Sequence, residues 1–168
     1  MSNIEAIAVF NNNEKPKGNK KNNVYGTVVF RESSRSNNII IDIDLKGLEP
    51  GKHGFHIHET GNVLDDCKAC KGHFNPFGQT HGGLRSSIRH VGDLGNIVAN
   101  QNGECKCQIT DNQISLRNLQ RNIIGRCLVI HGDEDDLGRG GNEESLITGN
   151  AGSRIGCAVI GYKNIVYF

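Results

Sequence analysis

Net charge is nearly missing from this chain: 19 lysines and arginines against 18 acids leave +1 at pH 7. Such a balance gives no global attraction to nucleic acid or to an anionic membrane. The lysines that do gather, Lys15, Lys17, Lys20 and Lys21, sit in an asparagine-rich stretch and read as a solvated loop. Long apolar runs are missing too, and none approaches membrane-spanning length. The first residues, MSNIEAIAVF, lack the basic start, apolar core and cleavage site of an export signal. The expectation is a cytoplasmic or otherwise unexported protein with no membrane or nucleic-acid partner. There, six cysteines read as thiols or metal ligands before a disulfide framework.

A long amphipathic helical pattern is likewise absent, and what is present is strand. Ile4 to Phe10, Val24 to Phe30 and Ile39 to Leu45 are short, β-branched and alternating, with Asn, Gly, Lys and Ser clusters between them. Gly54 to Glu59, Leu94 to Asn100, Glu104 to Thr110, Ile123 to His131 and Ile155 to Tyr162 continue the pattern. About eight strands in 168 residues imply one all-β domain over residues 1–168, a sandwich or barrel. Two intervals, about Thr60 to Asp93 and Gly132 to Arg154, are rich in Gly, His, Asp and Asn and poor in strand pattern. Loops of that length in a compact domain are usually functional.

The histidines fall in and beside those loops. His56-Ile57-His58 lies in an expected strand, so both imidazoles leave one face while Phe55 and Ile57 enter the core on the other. Imidazole ligates copper, zinc, iron and nickel, which makes H-x-H a half-site. The first loop adds His73, His81, His90 and Asp93, three imidazoles and a carboxylate, a closed set of the kind zinc takes. His131 ends the apolar run IIGRCLVIH at the rim of the sheet. The same loop contains Cys67-Lys68-Ala69-Cys70, a spacing shared by dithiol redox centres, zinc ligands and haem attachment. An all-β chain does not supply the βαβ setting of a thioredoxin-like centre, and His73 does not directly follow Cys70 as haem attachment requires.

Gly54-Phe55-His56-Ile57-His58-Glu59, Gly72-His73-Phe74-Asn75-Pro76, His81-Gly82-Gly83, Arg89-His90-Val91-Gly92-Asp93-Leu94-Gly95, Asp136-Leu137-Gly138-Arg139-Gly140-Gly141-Asn142-Glu143-Glu144 and Thr148-Gly149-Asn150-Ala151-Gly152-Ser153-Arg154 together resemble the copper/zinc superoxide dismutase family. The resemblance covers nearly the whole chain in order and is weakest from Asn11 to Asn23. It implies an eight-stranded Greek-key β-barrel or sandwich with two long functional loops. It also implies disproportionation of superoxide to dioxygen and hydrogen peroxide. By the same resemblance copper takes His56, His58, His73 and His131, while zinc takes His73, His81, His90 and Asp93, with His73 shared between them.

Further roles follow from the resemblance. Arg154 would dock the anionic substrate, since a guanidinium stays charged and offers a rigid fork of donors. Asp135 would link His56 and His81 by accepting their outer N–H bonds. Cys67 and Cys157 would form a disulfide, with Cys70 left as an extra thiol, and His53 would be a structural, non-ligating histidine. A homodimer through Gly61, Ile124, Gly125 and the last strand is implied, although Asn164 to Phe168 extend past that strand. A copper donor protein is a further implied partner.

Two departures stand out. Ile147 takes a place where the family often has a lysine, and Asp133 adds an acid before Glu134, so fewer cations would draw the anion in. A copper-handling or copper-delivering protein on the same fold is the alternative function. All four copper histidines and Arg154 are present, which favours catalysis. Cys105-Lys106-Cys107 is a soft-ligand pair suited to Cu(I), but in an expected strand both thiols face one side and read first as a buried or half-buried pair of small apolar residues.

Overall fold

The computed structural model describes residues 4–17, 23–32 and 38–164. Lys20, Lys21 and the extension 165–168 lie outside them. Eight antiparallel strands follow in chain order: β1 Ile4–Phe10, β2 Tyr25–Glu32, β3 Ile39–Lys46, β4 Gly51–His58, β5 Asp93–Ala99, β6 Glu104–Asp111, β7 Cys127–His131 and β8 Arg154–Asn164. Their lateral order is β5-β4-β7-β8-β1-β2-β3-β6. β3 pairs with β6 while β4 and β5 pair across the molecule, so the chain crosses between halves in Greek-key fashion. The terminal strands β5 and β6 leave the barrel nearly closed.

Period-two burial explains the strands. In β2 the pattern alternates without a break, with Gly26, Val28 and Phe30 inward and Tyr25, Thr27 and Val29 outward. β3 answers with Ile39, Ile41, Ile43 and Leu45 inward and Asp42 and Asp44 outward. These residues join Ala6, Ala8, Phe10, Phe55, Ile57, Leu128, Ile130 and Ile160 in one core.

Several boundaries differ from the pattern in the sequence. β4 begins at Gly51 because Lys52 and His53 already pair with Val98 and Ile97. Ile123 to Arg126 is a turn: Arg126 N–H donates to Ile123 O, and Gly125 takes a φ of 79°. Ile123 looked like strand because it is fully buried all the same. β8 runs on to Asn164, opposite Glu5. Cys105 is buried but Cys107 is exposed, with the two sulfurs 3.7 Å apart, so the pair shares a face without sharing burial.

Pairing register gathers the functional ends. His56 stands opposite Asp93 on one side and Val129 on the other, His58 opposite Cys127, and His131 opposite Arg154. Four neighbouring strands therefore deliver their functional side chains to one end of the barrel. The two long loops, 59–92 and 132–153, lie over that end. The first returns to the sheet through an isolated bridge between His58 and His73. The second carries a single short helix, α1 Ser145–Thr148.

Buried charge locks the first loop from below. Arg89, 2% exposed, pairs with Asp111 of β6 and donates to the main-chain oxygen of Asp93. Asp111 also accepts from Gln113 N–H and Ile114 N–H, each at 2.7 Å. Breaking a satisfied buried pair costs far more than forming it returns. Arg89 thus fixes the strand that begins at Asp93.

Candidate metal centre and anion pocket

Two groups of donors share one imidazole. His56, His58, His73 and His131 form the first, and His73, His81, His90 and Asp93 the second; within each, one donor atom per residue lies within 4.8 Å of all the others. All seven side chains are buried. In the second group, Asp93 Oδ1 is 2.8 Å from His73 Nδ1 and 3.1 Å from His90 Nδ1, and Asp93 Oδ2 is 3.0 Å from His81 Nδ1. In the first, His58 Nε2 and His131 Nε2 face each other at 3.3 Å.

The outer ring nitrogens are committed elsewhere. His58 Nδ1 lies 2.8 Å from Lys71 O, and His131 Nδ1 lies 3.2 Å from Gly152 O. Asp135 bridges the groups: its Oδ2 is 2.8 Å from His56 Nε2 and its Oδ1 2.8 Å from His81 Nε2. Asp135 is itself held by Asn96, whose Nδ2 donates to Asp135 O while Asn96 Oδ1 accepts from Asp135 N–H, both at 2.8 Å. Gly149 makes room for this bridge. A side chain there would place Cβ 2.0 Å from Asp135 Oδ1 and 2.5 Å from His81 Nε2, at a φ of 69° that already favours glycine.

Whether these residues fit metal ions can be judged from the atoms left over. His56 Nδ1, His73 Nε2 and His81 Nδ1 are buried and form no hydrogen bond. Buried polar atoms without partners are rare and costly, and these three point inward among other donor nitrogens. With their opposite ring nitrogens against the carboxylates of Asp135 or Asp93, His56 and His73 present lone pairs to the first group and His81 to the second, the arrangement metal-binding histidines need. His73 offers Nε2 to the first group and Nδ1 to the second. The sets fit a nitrogen-only site suited to copper and a His₃Asp site suited to zinc.

The sequence profile described as copper/zinc superoxide dismutase (SODC) matches residues 24–160. This chain belongs to the copper/zinc superoxide dismutase family. It is similar to Superoxide dismutase [Cu-Zn] of Paramecium bursaria Chlorella virus 1, 59% identical over 140 residues that cover 83% of this chain and 73% of the relative. Superoxide dismutase [Cu-Zn] 5 of Dictyostelium discoideum is 47% identical over 87% of this chain and 95% of its own length. Superoxide dismutase [Cu-Zn] of Neurospora crassa is 49% identical over 83% and 90%.

Other residues that the dismutase resemblance singled out fall around this centre. Cys67 and Cys157 are joined at an S–S distance of 2.04 Å. Arg154 lies beside them, with Nη1 donating to Cys67 O at 2.7 Å and Nη2 to Lys71 O. Its guanidinium shares a cavity of about 480 Å³ with His58, His73, His131, Asn75, Glu144, Ile147 and Thr148. Ile147 is half exposed at that cavity, as its place in the sequence suggested. Asp133 and Glu134 are not among its lining residues; Asp133 packs over Gly152, and Glu134 pairs with Lys52 at 2.6 Å. The negative charge at the cavity comes from Glu144 instead. His53 makes no approach to either donor group, its ring nitrogens lying 2.8 Å from His131 O and from Glu49 O.

Sequence reading missed Asn96, Arg89 and the staple of the second loop. There Asp136 Oδ1 accepts from Ser145 Oγ at 2.7 Å and Asp136 Oδ2 from Asn150 Nδ2 at 2.6 Å. A buried serine on a four-residue helix leaves no periodic signal. Only the Asx-rich run Asp135-Asp136 to Asn142 hinted that side chains would hold the loop.

The histidines divide by electrostatics. Burial pulls His131 down to about 4 and holds His56 and His58 well below the ordinary histidine value. Burial opposes charge on His81 as well, but its contacts with Asp135 and Asp93 outweigh that and raise it to about 9. In the metal-free protein between pH 6.5 and about 4, the unfolded chain binds protons that native His131 refuses, so stability falls as pH falls. Between 6.5 and about 9, native His81 keeps a proton that the unfolded chain has lost, so stability falls as pH rises. Metal-free protein is expected to melt highest near pH 6.5, with Tm lower by about 5 °C at pH 5. Zinc, which displaces the proton from a ligating ring, should abolish the alkaline decline. Calorimetry of metal-free and zinc-only protein from pH 5 to 9 checks this, and a flat metal-free profile would contradict it.

Proposed function

We infer that the chain is a superoxide dismutase whose own residues hold copper at His56, His58, His73 and His131 and zinc at His73, His81, His90 and Asp93. The single observation that carries this reading is the shared imidazole, with one ring nitrogen of His73 facing each donor group and Asp135 tying the groups together. When bound, copper supplies the one-electron chemistry that takes two superoxide anions to dioxygen and hydrogen peroxide, while zinc, which has no redox change, fixes geometry.

The protein's part is binding, orientation and protons. Arg154 docks the anion in this cavity, since its guanidinium keeps its charge and is held in place by the main-chain oxygens of Cys67 and Lys71. His73 Nε2, buried and unpartnered, is placed to hold a proton for the reduced product. Asp135 keeps the outer nitrogens of His56 and His81 engaged, so their inner nitrogens stay free. The peptide oxygens of Lys71 and Gly152 do the same for His58 and His131.

Dimerisation belongs to the same proposal. Gly61 lies against Gly125 O, and a Cβ there would sit 2.2 Å from it; Val159, 43% exposed, adjoins this spot. This apolar surface suits a second copy of the chain, and sedimentation should show a dimer that Val159→Glu converts to monomer. A monomeric parent protein would remove the idea. A copper donor protein completes the reading, resting on the family resemblance.

Metal analysis with superoxide removal tests the function. Activity should be absent without copper and return with one copper and one zinc per chain; full metal content without activity would defeat the reading. Ile147→Lys should raise kcat/KM severalfold at low ionic strength and steepen its decline with salt, since the added cation faces the anion's path. Unchanged rate and salt dependence would show that Ile147 does not limit attraction.

A further inference from the structure

Among the described residues, sulfur gathers in two places outside the two histidine groups. One is the Cys105 and Cys107 pair on β6. The other surrounds the disulfide, where Cys70 and Cys127 are free thiols at 0% exposure. The sulfurs of Cys70, Cys127 and Cys157 all lie within 4.8 Å of one another. Together with Cys67 and Val129 they form a patch separate from the main core. The backbone holds the two thiols in place through one residue: Thr60 N–H donates to Cys70 O, and Thr60 O accepts from Cys127 N–H. Nothing in superoxide chemistry uses either thiol.

We propose that Cys70 and Cys127 form a binding site for one soft monovalent cation, Cu(I), held between two thiolates. Thiolates are the ligands that select Cu(I). Two of them on opposite sides of an ion stand about 4.6 Å apart, taking roughly 2.3 Å per metal–sulfur bond, and the two sulfurs here lie no more than 4.8 Å apart. Zinc would need four ligands, and this group contains no imidazole or carboxylate. Cys157 lies close, but its sulfur is committed to Cys67 and cannot serve as a thiolate.

Charge and protons balance. Two thiols release two protons to solvent as one Cu(I) arrives, leaving one net negative charge in a dry patch. Arg154 supplies the counter-charge, its guanidinium bonded to the main-chain oxygens of Cys67, Lys68 and Lys71 on both sides of Cys70. Cys67 and Arg154 also line a neighbouring cavity of about 500 Å³, so a route from solvent reaches the edge of the patch. Cys127 stands opposite His58 in the sheet, which sets the reduced ion beside the histidine group.

The test uses the full chain with both histidine groups already filled by copper and zinc. It is titrated with Cu(I) without oxygen, and read by metal count and by copper–sulfur scattering in X-ray absorption. One further copper per chain, with sulfur neighbours, is expected in the parent protein and in Cys105→Ser/Cys107→Ser. It should be lost in Cys70→Ala/Cys127→Val, whose apolar side chains suit the patch. Should that double variant not fold, Cys70→Ala alone carries the test, because one thiolate cannot make the site. No copper–sulfur signal in the parent, or a signal that disappears with Cys105 and Cys107, overturns the proposal. So does a peptide map of the untitrated protein showing Cys70 bonded to Cys127 or Cys157. Superoxide removal is not a readout, so the dismutase function and this site stand or fall separately.

Discussion

One carboxylate holds the centre together. Asp135 has an oxygen against His56 from the sheet and an oxygen against His81 from the first loop, while sitting on the second loop itself. Sheet and both loops meet at this side chain, and it is 1% exposed, so neither contact is weakened by solvent. Six imidazoles gathered in one buried volume would repel one another if protonated and would lack partners if neutral. Two acids, Asp93 and Asp135, resolve that conflict by fixing which nitrogens are occupied. The surrounding structure then serves to keep Asp135 in place: Asn96 holds its main chain, Gly149 leaves it space, and the Asp136, Ser145 and Asn150 staple stops its loop from drifting.

The barrel contributes position and the loops contribute chemistry. Antiparallel register sets Asp93, His56, His58, His131 and Arg154 at one end of four adjacent strands, a placement that depends only on pairing and period-two geometry. The loops lack that repeating order and are fixed by other means. A disulfide ties the first to β8, the Arg89 and Asp111 pair anchors it beneath, and His81 N–H donates to Leu146 O to join it to the second.

How much of this was legible in the sequence divides along the same line. Strands such as β2 and β3 announce themselves, because alternation is a local consequence of burying one face. Ile123 misled for the same reason, since a buried isoleucine in a turn reads like one in a strand. His56 and His58 were legible as converging from their spacing alone. The ligand sets, Asp135 and the disulfide came instead from family resemblance, because partners separated by 79 or 90 positions carry no local signal. Asn96 and Arg89 escaped both routes. Their roles lie in contacts to backbone and to a distant acid, which residue type and spacing do not announce. Cys105 and Cys107 were expected as a buried or half-buried pair, and Cys107 is exposed, because a common face guarantees only direction while burial depends on what lies opposite.

Lys71 shows how tightly the centre and the substrate pocket are joined. Its carbonyl is shared, facing His58 Nδ1 and also accepting from Arg154. The residue takes a φ of 66°, a conformation that costs a lysine on the order of 1–3 kcal/mol and persists only because its surroundings dictate it. A peptide plane that flipped at Lys71 would release the ring and the Nη2 end of the guanidinium together, leaving Nη1 held by Cys67 O. The histidine group and the cavity's guanidinium thus lean on the same peptide, so a distortion there would reach both at once.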